Sequence, residues 1–299
     1  MNILHRELCP LCGSTRLKQI ANCTDHYATG ETFPLCECEQ CGFRFTQDAP
    51  AEEEMGRYYE SADYISHSDT NEGLMNKVYH HVRSFMLERK AKLVERASGR
   101  QRGDLLDIGA GTGYFAHAME EHGWNVTAAE QNETARNYAR HKFGLDMITP
   151  ADMLQIEGQS FDVVTLWHVM EHVEHLSEEW DFIAHVLRKN GRLIMATPNC
   201  ASADARIYGS DWAAYDVPRH LWHFSPESMR QSAEAHGFRV IGVHPMPFDA
   251  YYVSMLSEKY RGHARSYFIR GMMNGLRANL SAMGNAERSS SIIYILKNK

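Results

Sequence analysis

The stretch Leu105-Leu106-Asp107-Ile108-Gly109-Ala110-Gly111-Thr112-Gly113 decides how this chain is read. An apolar run gives way to glycine at every second position. That is the pattern of a strand ending in a turn that opens a helix, here over residues 114–122. Glycine lets backbone approach a ligand where a Cβ would collide. The spacing is Gly-x-Gly-x-Gly and not the Gly-x-Gly-x-x-Gly of a dinucleotide fold. Glu130 closes the next strand, residues 125–130, about 20 residues on, where an acidic side chain can bond both hydroxyls of a ribose. The expected ligand therefore carries a ribose.

Outward from this turn, strand and helix signals alternate. Residues 133–143 and 177–189 have helical spacing, and residues 161–168, 192–197 and 238–243 are apolar strands. Such alternation predicts an α/β fold, a parallel sheet with helices on both faces. Ser225 and Pro226 read as the N-cap and first turn of a helix over 226–236. A β-branched strand follows at 290–296. The expected organisation is a Cys-rich module at 1–48, a linker and helical lid at 49–100, and an α/β domain at 101–299. Two stretches, 198–224 and 251–285, break the rhythm and read as substrate-cap insertions.

Together these features resemble the class I S-adenosylmethionine (SAM)-dependent methyltransferases. Leu105 to Gly113 matches the first motif of that family, and Glu130 matches its ribose-binding acid. Ala151-Asp152-Met153 matches its adenine-contacting turn, and Leu166-Trp167-His168-Val169-Met170-Glu171-His172 the segment after its fourth strand. The resemblance spans residues 80–299. It implies a Rossmann-like sheet of seven strands, the last antiparallel and inserted, a position residues 290–296 suit. It also implies SAM as cofactor. Asp107, Gly109, Ala110, Gly111, Thr112, Gly113, Tyr114 and Phe115 would line it, with Glu130 and Gln131 at the ribose, Asp152 and Met153 at the adenine, and Trp167 or His168 near the methionine part. A helical lid covers SAM in many members, which makes Tyr64 and His67 candidates on that side.

Six of the seven cysteines fall within the first 41 residues. Cys9-Pro10-Leu11-Cys12 and Cys38-Glu39-Gln40-Cys41 are Cys-x-x-Cys knuckles, each followed by glycine. Two such turns supply the four thiolates of a tetrahedral, structural zinc site. Cys36 competes with Cys38 for the third position, and the knuckle favours Cys38. The module resembles the zinc ribbons that precede some methyltransferase domains, including certain sugar C-methyltransferases and a ribosomal-RNA methyltransferase. Its Arg6, Arg16, Lys18 and Arg44 are outnumbered by acidic residues, and the whole chain carries a formal charge of -7. Phosphate binding needs the opposite balance, so nucleic acid is disfavoured and a small-molecule acceptor is expected.

The segment 198–224 holds Tyr208, Trp212, Tyr215, Asp216, Arg219, His220, Trp222 and His223 after the fifth strand of the fold, where the methyl group would emerge. An oxygen or nitrogen nucleophile can require a base. His220 or His223 is the candidate, with Asp216 as its orienting carboxylate. His168, Glu171, His172 and His175 would share one helix face, which offers a second metal as an alternative; Glu171 and His172 are read instead as a local helix-start network. The Met-rich stretch 251–285 reads as core, lid or dimer surface, so a homodimer is a candidate assembly. Hydrophobic residues at 43% and charged residues at 23% fit an ordinary globular chain. No run approaches the roughly 18 apolar residues of a membrane span, and no apolar leader is seen, so the expected location is the cytoplasm.

Overall fold

The computed structural model describes residues 2–59 and 74–299, and in the second span the side chains from residue 83 onward. Tyr64 and His67 lie outside the described residues. The N-terminal module is built on short strands: β1 (Ile3–Leu4), β2 (Leu17–Thr24), β3 (Thr32–Cys38), β4 (Arg44–Thr46) and β5 (Ala49–Pro50). β2, β3 and β4 form an antiparallel meander, and β1 pairs with β5. A 3-10 helix, Glu52–Tyr58, leads away, and α1 (Leu74–Ser98) enters the α/β domain.

That domain is one six-stranded sheet. β6 (Asp104–Ile108), β7 (Asn125–Ala129), β8 (Phe161–Trp167) and β9 (Leu187–Pro198) run parallel, with β6 between β7 and β8. After β10 (Trp222–His223), β11 (Phe238–Pro245) takes the far edge, and β12 (Ser291–Asn298) inserts antiparallel between it and β9. The central strands are apolar at successive positions because helices cover both faces. Leu105, Leu106, Val163, Val164 and Leu166 are fully buried. The expected Rossmann-like α/β fold is observed, with the last strand antiparallel and inserted. The place of a seventh strand beside β7 is held by one parallel bridge, Ala129 to Ile148.

The helices are α2 (Tyr114–Glu121), α3 (Glu133–Phe143), α4 (Pro150–Met153), α5 (Leu176–Val186), α6 (Ala203–Tyr208), α7 (Pro226–Ala235), α8 (Pro247–Tyr260) and α9 (Tyr267–Ala282). Ser225 caps α7 as its sequence predicts, with its side chain accepting from the Ser228 N–H. The stretch expected to place His168, Glu171, His172 and His175 on one helix face is instead a turn, and α5 begins only at Leu176. His168 is the cause of the break: its φ of 59° is left-handed, and its N–H donates to the Ala196 carbonyl (3.0 Å). His175 ends on the surface beside Glu174 and Glu178.

The Cys-rich module is joined to the α/β domain by a shared sheet. β10, from the 198–224 insertion, pairs antiparallel with β4, setting Trp222 against Phe45 and His223 against Arg44. Phe43 and Phe45 are fully buried in the same apolar cluster as Leu106, Leu166 and Met195.

Candidate active site

The glycine loop closes over the carboxyl end of β6, where ligands of open α/β sheets bind. Its glycines serve different needs. Gly109 lies against Val169, and a Cβ there would come within 2.5 Å of the valine methyl. Gly111, at φ 55°, has no atom of the described residues within 4 Å of its Cβ position. The Gly111 N–H donates to Glu130 Oε2 (2.8 Å), and the other carboxylate oxygen accepts from the Asn132 N–H (2.8 Å). Each oxygen keeps a lone pair for a hydroxyl. Ala110 is tied to the Ala129 carbonyl, and Gly113 caps α2 and donates to the Ala110 carbonyl. Thr112 is half-buried on the same turn. Tyr114 meets Tyr138 across a 3.0 Å hydroxyl contact, and Phe115 packs edge-on to Trp167.

Three other predicted cofactor residues have visible local roles. Asp152 is the N3 residue of a capping box, accepting from the Thr149 N–H (2.9 Å) and hydroxyl (2.7 Å), while Met153 is buried beneath it. Gln131 is exposed and donates to Glu52 Oε1 (2.9 Å), linking the loop after β7 to the 3-10 helix.

Beneath the loop, Asp107 is buried and accepts from the Thr165 hydroxyl (2.6 Å). Burial pushes its carboxyl up to about 7, against the pull of Thr165 and Lys90. Lys90, on α1, was not anticipated. Its ammonium lies 4.0 Å from the Trp167 ring centre, and burial pushes it down to about 8 despite Asp249 and Asp107. His168 sits between two carboxylates, Nδ1 to Glu171 (3.2 Å) and Nε2 to Asp249 (3.3 Å). Burial would lower this imidazole, but Asp249 and Glu171 outweigh it and raise it to about 10. Asp249 stands in the first turn of α8, so His168 ties the second insertion to the end of β8.

Glu171 passes this connection on. Its carboxylate is fully buried, and Oε2 has no hydrogen-bond partner among the described residues. Its carbonyl accepts from the Leu221 N–H (2.8 Å), and ligand atoms of Glu171, His172 and His220 lie within 4.8 Å of one another. His172 and His220 meet edge-on at 4.5 Å, and His172 Nδ1 lies 3.3 Å from the Tyr59 hydroxyl. Burial, with His220 nearby, pushes His172 down to about 4, so it is neutral near pH 7. His220 Nδ1 lies 2.9 Å from the Ala214 carbonyl. A carbonyl can only accept, so Nδ1 carries a proton, and in the neutral ring Nε2 presents the lone pair. Asp216 Oδ2 is 3.9 Å from that Nε2. Asp216 is held by a two-point contact from Arg219, whose same Nη2 reaches Asp25 (3.1 Å).

His223 goes elsewhere. It is buried against the Cys-rich module, its Nε2 3.0 Å from Thr46 Oγ1, and burial holds it well below the ordinary histidine range. The structure therefore brings Asp216 and His220 together with Glu171 and His172, and leaves His223 outside that group, bonded to Thr46 of the Cys-rich module.

In the module, the sulfurs of Cys9, Cys12, Cys38 and Cys41 lie within 4.8 Å of one another, with Cys9–Cys41 and Cys12–Cys38 both at 3.6 Å. A tetrahedron of Zn–S bonds near 2.3 Å has edges of about 3.8 Å, so the four sulfurs fit that ion. Cys36 is buried and outside this group.

A family model described as a methyltransferase domain matches residues 79–243, more than half of the chain. The chain belongs to the methyltransferase-domain family. A ubiquinone biosynthesis O-methyltransferase of Sinorhizobium fredii is 30% identical over 148 residues, covering 46% of this chain and 60% of that protein. A protein of the same name from Coxiella burnetii is 24% identical over 174 residues, covering 53% and 74%. Among solved structures, magnesium protoporphyrin IX methyltransferase from Synechocystis, with bound SAH, is similar in fold. Its TM-score is 0.53 at 14% identity, over 83% of this chain and all of that one. Gly109 to Gly113 and Glu130 lie within the matched residues, at the carboxyl ends of β6 and β7. Lys90 also lies within the matched residues, and Asp249 lies just beyond them.

Proposed function

We propose that this chain transfers a methyl group from SAM to a small-molecule acceptor, held where the 198–224 insertion meets the Cys-rich module. The observation that carries this reading is the run of polar contacts from Asp249 through His168 and Glu171 to the His172–His220 pair, at the end of the strand that neighbours β6. The open cradle at Gly111 and the Glu130 carboxylate support a nucleoside cofactor.

When bound, SAM supplies an electrophilic methyl group. The residues of the chain then align and deprotonate. Glu130 and the loop amides fix the ribose, and Asp107 and Lys90 present charge at the methionine end. Rigid placement of two reactants supplies much of the rate of a displacement. His220 Nε2 takes the acceptor proton, and the resulting imidazolium is stabilised by Asp216, itself fixed by Arg219. His172, neutral beside it, adds no competing charge. The names of the two relatives support a hydroxyl acceptor as the first chemistry to try. Cys9, Cys12, Cys38 and Cys41 hold a structural zinc. Clustered cysteines that hold a metal and form no disulfide suit a reducing compartment, which favours the cytoplasm. The test is SAH production from SAM against a panel of hydroxylated small molecules. Acceptor-dependent SAH supports the reading, and tight SAM binding with no turnover on any acceptor would contradict it.

A further inference from the structure

The helical hairpin of α8 and α9 is closed on one side and open on the other. Gly271, Gly275 and Ala278 of α9 are buried against α8, so closely that a Cβ at Gly271 would come within 2.6 Å of Met255. The opposite face carries Ile269, Met272, Met273, Leu276, Leu280 and Met283, each exposed over 39% to 73% of its surface. At about 100° per residue these form one stripe, about 24 Å long over the 16 residues of α9. An apolar stripe of this size does not stay in water without a partner.

Charge identifies the partner. Between Glu258 and Glu287 the chain has five lysines and arginines and no aspartate or glutamate, within a chain of formal charge -7. Arg261 pairs with Asp211, while Arg265, Arg270 and Arg277 are exposed. On the helix wheel Arg270 and Arg277 lie together along one flank of the apolar stripe. A two-fold pair of identical chains would lay the same cationic patch on both sides of one interface. A bilayer with anionic headgroups satisfies both features, taking the apolar side chains into the headgroup–acyl boundary and the arginines against phosphate.

We propose that the outer face of α9 docks on an anionic membrane surface, with the helix lying in the plane of the interface. This inference is independent of the acceptor assigned above. α8 begins beside Asp249, which holds His168, so docking sets the cofactor side of the domain at a fixed height above the lipid.

The experiment is co-sedimentation of the full chain with phosphatidylcholine vesicles, with and without one-third phosphatidylglycerol, at low and high salt. Binding to the anionic vesicles that falls steeply with salt is expected, with little binding to phosphatidylcholine alone. Ile269→Glu with Leu276→Glu abolishes it while leaving SAH affinity and Tm unchanged, because both side chains face solvent. Arg270→Gln with Arg277→Gln weakens it on the order of 10-fold. No binding to anionic vesicles at low salt overturns the proposal. So does a wild-type dimer in light scattering that the glutamate pair dissolves, which makes the face a self-association surface.

Discussion

The Thr46 hydroxyl, on β4 of the Cys-rich module, donates to the carbonyl of His220 at 2.7 Å. Because that hydroxyl hydrogen is committed, Thr46 Oγ1 accepts from His223 Nε2–H on its other side (3.0 Å). One threonine thus joins the module to both histidines of the insertion. The Thr46 N–H also donates to the Leu221 carbonyl (2.9 Å), and Asp25 anchors Arg219 from the neighbouring hairpin. The module acts as a buttress for the segment that carries the proposed base.

Thr46→Val keeps the shape and removes the bond, leaving a buried carbonyl and a buried imidazole N–H unpaired. The expected cost is about 1–3 kcal/mol of stability for each unpaired group. Turnover should fall while SAH affinity stays the same, because Thr46 does not touch the glycine loop. Paired activity and calorimetric titrations check this, and equal loss of both would place the module in the cofactor site.

Cys38→Ser, or a strong chelator, should remove zinc, melt β2 to β4 and release the β10 edge, with SAH affinity largely kept. Cys36→Ser should retain the metal. Metal analysis with amide exchange over residues 215–224 separates the two variants, and full zinc occupancy in Cys38→Ser would contradict the ligand set.

His220→Ala should lower turnover by roughly 100- to 10,000-fold, the range for loss of a general base, with SAH binding intact. His223→Gln should act through stability instead, because His223 is buried on the module side. A thermal melt run beside the rate assay distinguishes loss of chemistry from loss of fold.

Much of this was legible in the sequence for physical reasons. The glycine loop, Glu130 and the paired Cys-x-x-Cys turns are local, and each encodes its geometry within a few residues. Two features were not legible. The strand pairing of β4 with β10 joins residues about 180 positions apart, and periodicity carries no record of such a pairing. The turn at His168 replaces a helix because tertiary bonds to Ala196 and Asp249 override local propensity. Lys90 did leave a trace, since it shares the helix face of the buried Val94 with its i+4 spacing, an unusual place for an ammonium.

His168 gives a pH signature. Its folded value, about 10, is above the ordinary 6.5, so the stability it contributes is complete below about pH 6.5 and is lost as pH rises toward 10. The Tm difference between the natural chain and His168→Gln should be largest at pH 6 and shrink steadily to pH 10. A difference that grows with pH would mean that Glu171 and Asp249 do not hold a cation there.

The most direct test of the central claim is isothermal titration of the full chain with SAH, with NAD as control and Glu130→Ala alongside. The account predicts binding of SAH on the order of micromolar and none of NAD. It also predicts a loss of about 1–3 kcal/mol in the Glu130 variant, from unpaired ribose hydroxyls. Binding of NAD, or of neither ligand, would contradict it.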